Sequence, residues 1–286
     1  MTTDEHVGTT FALRELTASD LPALNSLLER DPVRHCFVAH RVHASAMQIW
    51  RLGGQIWGWF EGQTLVSALY NGANLVPVEA TDAALFAFAD RSRKFGRRCS
   101  SIVGPREHVA ELWRLLSPSW GPARDERMNQ PVMTMAAEPL IAADSAVRVV
   151  REDELDILLP ACVAMFTEEV GIEPTRGESL SVYRARIAEL IRSGKALARI
   201  ENGEVIFKAE IGATSAQACQ IQGVWVDPRF RGQSISAPGM AAVASYAREK
   251  FAPLVSLYVN DYNTAARRSY LTAGFVHTDT FASVLF

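Results

Sequence analysis

The chain has 286 residues, 48% of them apolar and 21% charged, which is enough for two globular domains with buried cores. Its formal net charge of −3 argues against nucleic acid or an acidic membrane surface as the main partner. No apolar run approaches the ~20 residues of a membrane-spanning helix, and the polar opening "MTTDEHVGTT" lacks the basic and apolar regions of a secretory signal, so a cytoplasmic protein is expected.

In chain order, "FALRELT" has strand character and "ASDLPALNSLLER" is helical after a Ser/Asp start. "QIWGWFEG", "TLVSALYNG" and "NLVPVEA" read as three strands, "DAALFAFADRSRKFG" as a helix, "CSSIVGP" as a strand, "EHVAELWRLL" as a helix and "QPVMTMA" as a closing strand. The basic run at residues 91–98, "RSRKFGRR", suits a helix C-terminus, where cations complement the dipole, better than a nucleic-acid patch. The proline-containing stretch near residues 136–145 is poor in large core residues and reads as a linker.

Beyond it the order nearly repeats. "AVRVVRE" is a strand, "DELDILLPACVAMFTEEV" a helix, Pro174 and Gly177 mark a loop, and "ESLSVYRARIAELIRSG" is a second helix. Three strands follow, "KALARIENG", "EVIFKAEIGA" and "ACQIQGVWVD", with Asn202-Gly203 as a hairpin signal between the first two. Then come the helix "APGMAAVASYAREKF", the strand "LVSLYVN", the helix "NTAARRSYLTAG" and the closing run "FVHTDTFASVLF". This is a tandem α/β (α+β) pattern, expected to divide into domains 1–140 and 146–286.

Other candidates are weak. Cys36, Cys99, Cys162 and Cys219 lie about sixty residues apart, which is neither a zinc-ligand spacing nor a disulfide framework. His35, His40 and His43 do not share a helix face, which disfavours a metal site. Trp50, Trp57, Trp59, Trp113 and Trp120 are assigned to core and domain packing rather than to a pocket.

The stretch "GVWVDPRFRGQSISAPGM" has more to say. A strand ends at Val226, Asp227-Pro228 turns the chain, and the loop enters a helix whose first N–H groups and dipole attract anions. Gly232 permits unusual φ/ψ, Arg231 adds positive charge, Ser236 is placed to cap the helix, and Pro238 falls in its first turn. Alone, the loop is equally an anion cradle or a solvated turn. Downstream, "SLYVNDYNTAARRSYLTAGF" puts Asn260 at a strand end, Asn263 at a helix start and Tyr270 two turns along that helix.

Together, "VWVDPRFRGQSIS" and "VNDYNTAARRSYLTAGF" resemble the GNAT superfamily of N-acetyltransferases over about residues 146–286. The full chain resembles a bacterial subgroup in which a degenerate GNAT-like domain, here lacking the loop ("LVPVEATDAA" stands in its place), precedes an intact one. The resemblance implies two mixed, mostly antiparallel twisted sheets flanked by helices, and acetyl-CoA as cofactor. It implies that Val224, Trp225 and Val226 meet the pantetheine, that the amides of Arg231, Gly232, Gln233, Ser234, Ile235 and Ser236 bind the pyrophosphate, and that Asn260 and Asn263 contact the cofactor's lower arm. Tyr270 then meets the cofactor near its sulfur and acts as general acid, while an amine attacks the thioester directly in a ternary complex. The family favours Gly or Ala at positions 234 and 236, where this chain has Ser234 and Ser236, and position 234 is the one where serine risks backbone strain.

An amine nucleophile also needs a base. Strand alternation puts Lys208 and Glu210 on one face, opposite Phe207, Ala209 and Ile211. Gln220 and Gln222 stand where related enzymes often carry a carboxylate, and Glu168 and Glu169 end the helix that walls the acceptor site in this fold. Glu210 and Glu169 are therefore the base candidates. The expected acceptor is a small-molecule or peptide amine, with the protein a monomer or homodimer and no metal. The alternative is a non-catalytic acyl-CoA-binding regulatory module.

Overall fold

The computed structural model describes residues 10–174 and 179–286; Gly177 and the first nine residues, read above for a signal sequence, lie outside the described residues. The chain forms two compact units, but they do not follow the linear division at 140/146. One comprises residues up to Gln130 together with Asp279–Phe286, and the other is Pro131–Thr278.

The first unit contains β1 (Phe11–Glu15), α1 (Leu21–Leu28), α2 (Cys36–Ser45), α3 (Ile49–Leu52), β2 (Gly54–Glu61), β3 (Thr64–Gly72), β4 (Asn74–Val78), α4 (Asp82–Phe95), β5 (Ser101–Pro105) and α5 (Arg106–Trp120). Its strands run in the order β1-β2-β3-β4-β5-β12, where β12 is Val276–Leu285 and pairs with β5 from Phe281↔Pro105 to Leu285↔Ser101. Apart from the parallel pair β4/β5, the neighbouring strands of this unit are antiparallel. The helices α2 and α3 were not expected. Trp57 and Trp113 enter the core as expected, whereas Trp50 is exposed, with Arg51 stacked on its ring. The basic run at 91–98 does close α4, with Arg93 and Lys94 in its last turn and Gly96 beyond.

The second unit contains β7 (Val147–Val149), α6 (Leu155–Val170), α7 (Ser179–Arg192), β8 (Ala196–Glu201), β9 (Glu204–Thr214), β10 (Ala218–Val226), α8 (Ser236–Lys250), β11 (Leu254–Tyr258) and α9 (Thr264–Ala273). Its strand order is β6-β11-β10-β9-β8-β7, where β6 is Asp125–Met135 and pairs with β11 from Val255↔Met135 to Tyr258↔Val132. Each unit thus takes one border strand from the opposite half of the sequence. Asn202 and Gly203, at φ +50° and +79°, make the two left-handed turn residues of the β8–β9 hairpin, as the dipeptide requires.

The supposed linker is pinned to the second unit. Leu140 N–H donates to the Ala273 carbonyl, Glu138 pairs with Arg248, and Asp144 pairs with Arg199. The two faces of this sheet bury different helices. Phe207, Ala209 and Ile211 of β9 pack with α8 and α9 residues such as Met240, Val243 and Tyr270, while Ala196, Ala198 and Val205 pack with α6 and α7. Gly239 lets α8 approach closely, since a Cβ there would stand 2.9 Å from the Phe207 ring.

Candidate functional site

The site is built where two neighbouring strands part. β10 and β11 run parallel and pair only at Ala218↔Leu254, Cys219↔Val255 and Gln220↔Ser256. β10 then continues beside β9 to Val226↔Phe207, and β11 continues beside β6 to Tyr258↔Val132. Each strand keeps its outer partner and leaves its inner one, so a cleft opens toward their C-terminal ends. A bulge contributes: Gly223 and Val224 together face the single residue Ala209, between Gln222↔Glu210 and Trp225↔Lys208. Gly223 sits at φ +60°, and a Cβ there would lie 3.1 Å from both Glu210 Cδ and Met165 Cε. The sequence carries a signal for it, an isolated glycine inside the strand-like run "QIQGVWV".

Past Val226, Asp227 accepts from the Arg229 amide at 2.9 Å and shapes the turn. Arg229 itself is committed to Asp227 and Glu204. The Arg231 amide closes that turn onto the Pro228 carbonyl at 3.4 Å, which takes it out of the expected run of phosphate donors. Gly232 follows at φ +79° and Ser234 at φ +58°, so the position where the family favours glycine does adopt the left-handed conformation. The N-cap of α8 is Ile235 rather than Ser236, and no side chain caps the helix. The first-turn amides therefore have no partner within the helix, and among the described residues none is seen to claim the amides of Gly232, Gln233, Ser234 or Ile235.

Tyr270 projects from α9 into the core beside Phe275, with ring centroids 6.1 Å apart. Its phenol is held above the usual tyrosine range, first by burial and then by the negative charge of Glu169. The charge of Glu169, at the end of α6, is thus felt by Tyr270 on α9, a hundred residues later in the sequence. Asn263 is the N-cap of α9, its side chain accepting from the Ala266 amide at 3.2 Å, so that oxygen serves the helix. Asn260 lies just past β11 and its carbonyl accepts from the Asn263 amide.

Glu210 stands apart from these. Lys208 Nζ lies 2.5 Å from Glu210 Oε1, and both side chains are buried on the face that packs against α6. Burial is the largest single influence and opposes both charges, but the partner ion together with Cys162 for Lys208, and with Arg186 and Gln222 for Glu210, outweighs it, so Lys208 is raised and Glu210 lowered. Gln222 donates to Glu210 at 3.4 Å and the Cys162 thiol at 3.7 Å. A carboxylate so enclosed is a structural partner of Lys208, which goes against the expectation of a base open to an acceptor. Glu168 is also engaged: it accepts from the Trp225 indole at 3.2 Å and from Arg231 at 2.7 Å.

In the first unit, the corresponding parallel pair β4/β5 is also short, Asn74↔Ser101 and Leu75↔Ile102. There the residues after β4 are Glu79, Ala80 and Thr81, and the Thr81 hydroxyl caps α4 by accepting from Ala84 at 3.3 Å. His35 hydrogen-bonds Glu79 at 3.0 Å rather than joining His40 and His43. Among the described residues no His, Cys, Asp and Glu group is arranged to hold a metal ion, and no helix is long and apolar enough to cross a membrane. All four cysteines are buried and none forms a disulfide.

The acetyltransferase (GNAT) family model matches residues 169–275, a span holding the parted strands, the loop and Tyr270. This part of the chain is thus a GNAT-family acetyltransferase match, carried by the second unit. A domain of unknown function, DUF4081, matches residues 54–158. Solved structures of GNAT proteins share the fold, one of them described as a tandem GNAT protein. A GNAT-family acetyltransferase from Colwellia psychrerythraea is 12% identical, with 96% of this chain and 99% of that one covered at a TM-score of 0.59. A GCN5-related N-acetyltransferase from Sphaerobacter thermophilus is 16% identical, with 96% and 95% covered at 0.57. A tandem GNAT protein from the clavulanic acid biosynthesis pathway is 14% identical, with 96% and 98% covered at 0.54. At these identities the likeness shows the GNAT fold alone. Among curated proteins no match is found.

Proposed function

We propose that the second unit transfers the acetyl group of acetyl-CoA to a primary amine, by direct attack within a ternary complex. One observation carries the reading: the inner pairing of β10 and β11 stops at Gln220↔Ser256, and the opening leads to a helix N-terminus with unclaimed amides. The donor set suits the cofactor. Backbone N–H groups from Gly232 to Ser236 and the α8 dipole suit a pyrophosphate, and the bulged edge at Val224, Trp225 and Val226 suits an extended chain of amides. Asn260 and Asn263 border the same cleft from the β11 side.

Acetyl-CoA supplies an activated thioester when bound; the remaining work falls to side chains. Tyr270, kept protonated by burial and by Glu169, donates its phenolic proton to the departing sulfur. Glu169, at the exposed end of α6, is the base for the incoming ammonium, directly or through one water. No cysteine nucleophile is required, in keeping with four buried thiols. In the first unit, the capped start of α4 and the Glu79 carboxylate leave no comparable anion cradle, so its proposed role is support rather than cofactor binding.

The test is thiol release from acetyl-CoA across a panel of amines and peptides. Tyr270→Phe is expected to lower kcat by about 10²–10⁴-fold, the usual weight of a general acid, with cofactor affinity retained. Tight binding without turnover on any acceptor would favour a regulatory acyl-CoA-binding module instead.

A further inference from the structure

Three side chains meet beside the last residues of β10. Glu168, near the C-terminus of α6, accepts from Trp225 Nε1 through one oxygen and from Arg231 Nη2 through the other. The Nε of Arg231 donates to the Val226 carbonyl at 3.0 Å. The direction of that carbonyl follows from the peptide plane. The Asp227 N–H donates to Ile206 on β9, so across the same trans peptide the Val226 oxygen points away from β9, toward the side where β11 has parted. Arg231 therefore reaches along the cleft side of β10 and ties its last carbonyl to α6. Both Arg231 and Glu168 are about half exposed, so their pair is weak enough to exchange.

Resting on the acetyltransferase reading, we infer that Glu168 is a positioning residue that competes with the cofactor's phosphates for Arg231. The loop that offers its amides to a pyrophosphate carries Arg231 beside Gly232, and a guanidinium grips a phosphate at least as well as a carboxylate. When Arg231 turns to the phosphates, Val226 regains a carbonyl for the pantetheine amides and Glu168 keeps only Trp225. Cofactor affinity is thereby set against the clasp between α6 and the loop.

The experiment is calorimetric titration of coenzyme A, and separately of pantetheine, which lacks the phosphates, into wild type, Glu168→Gln, Arg231→Gln and the double variant. Glutamine retains an acceptor for the Trp225 indole while removing the charge. The expected result is that Glu168→Gln binds coenzyme A about 2- to 5-fold more tightly, the range of an exposed ion pair. Pantetheine binding should not change, and the gain should vanish in the Arg231→Gln background. Unchanged or weaker coenzyme A binding by Glu168→Gln, or an equal gain for pantetheine, overturns the competition while leaving the acetyltransferase reading in place. Failure of the wild type to bind coenzyme A overturns both.

Discussion

Lys208 and Glu210 form an ion pair with neither side chain open to solvent, two residues apart on one face of β9. Desolvating two charges is expensive, and their attraction recovers the cost only while both are present. Replacing one partner should therefore destabilise the protein by about 3–5 kcal/mol, whereas Lys208→Met combined with Glu210→Leu should be close to neutral. Urea unfolding of the two single variants and the double variant measures this directly. Additive losses in the double variant would mean that the pair is not the stabilising unit.

Ser234 holds a left-handed backbone at φ +58° inside the proposed phosphate loop. An L-residue there carries about 1–2 kcal/mol of strain that glycine avoids, less the extra flexibility glycine brings to the unfolded chain. Ser234→Gly is expected to raise Tm slightly and to tighten coenzyme A binding. Ser234→Ala keeps the strain and loses only the hydroxyl. If Ser234→Ala and Ser234→Gly both weaken binding, the hydroxyl rather than the backbone is what the phosphate uses.

His35 is buried at the start of α2, and burial pulls its pKa below the ordinary 6.5, with Arg34 adding to the effect and Glu79 and Asp31 opposing it. His108 on α5 is lowered in the same way, again by burial first, with Glu107 opposing. The folded protein then binds fewer protons than the unfolded chain once the pH drops below 6.5, so the neutral histidines stabilise it above that value and the benefit is lost as pH falls through their folded values. The strongly lowered carboxylate Glu154, at about 2, still binds no proton in that range. A fall in Tm from pH 7 to pH 5 is expected, shallower in His35→Gln. A Tm that is flat over that interval in the wild type would refute it.

The repeated element order and the Asn202-Gly203 hairpin could be read from the sequence because both are local: periodicity names a strand or helix, and two left-handed residues name a tight turn. The loop from Asp227 to Ser236 was legible for the same reason, including the conformation at Ser234. What stayed hidden depends on partners far away in sequence. Alternation told that Lys208 and Glu210 share a face but not that the face is sealed by α6. Glu168 meets Trp225 and Arg231 some sixty residues later, and no spacing rule announces such a contact. The stretch "CFVAHRVHAS" of α2 mixes apolar residues and histidines without a capping side chain, so nothing local marked it as a helix.

The exchange of border strands has a consequence for synthesis. The first unit's sheet needs residues 279–286, which the ribosome makes after the whole of 131–278. At typical translation rates of 5–20 residues per second, β5 waits on the order of ten seconds for its neighbour. Until then its unpaired edge is open to any other strand, including one from another nascent chain. A gene cut at the apparent linker would leave each product without one of its strands. Neither half of the sequence therefore carries all the strands of its own unit.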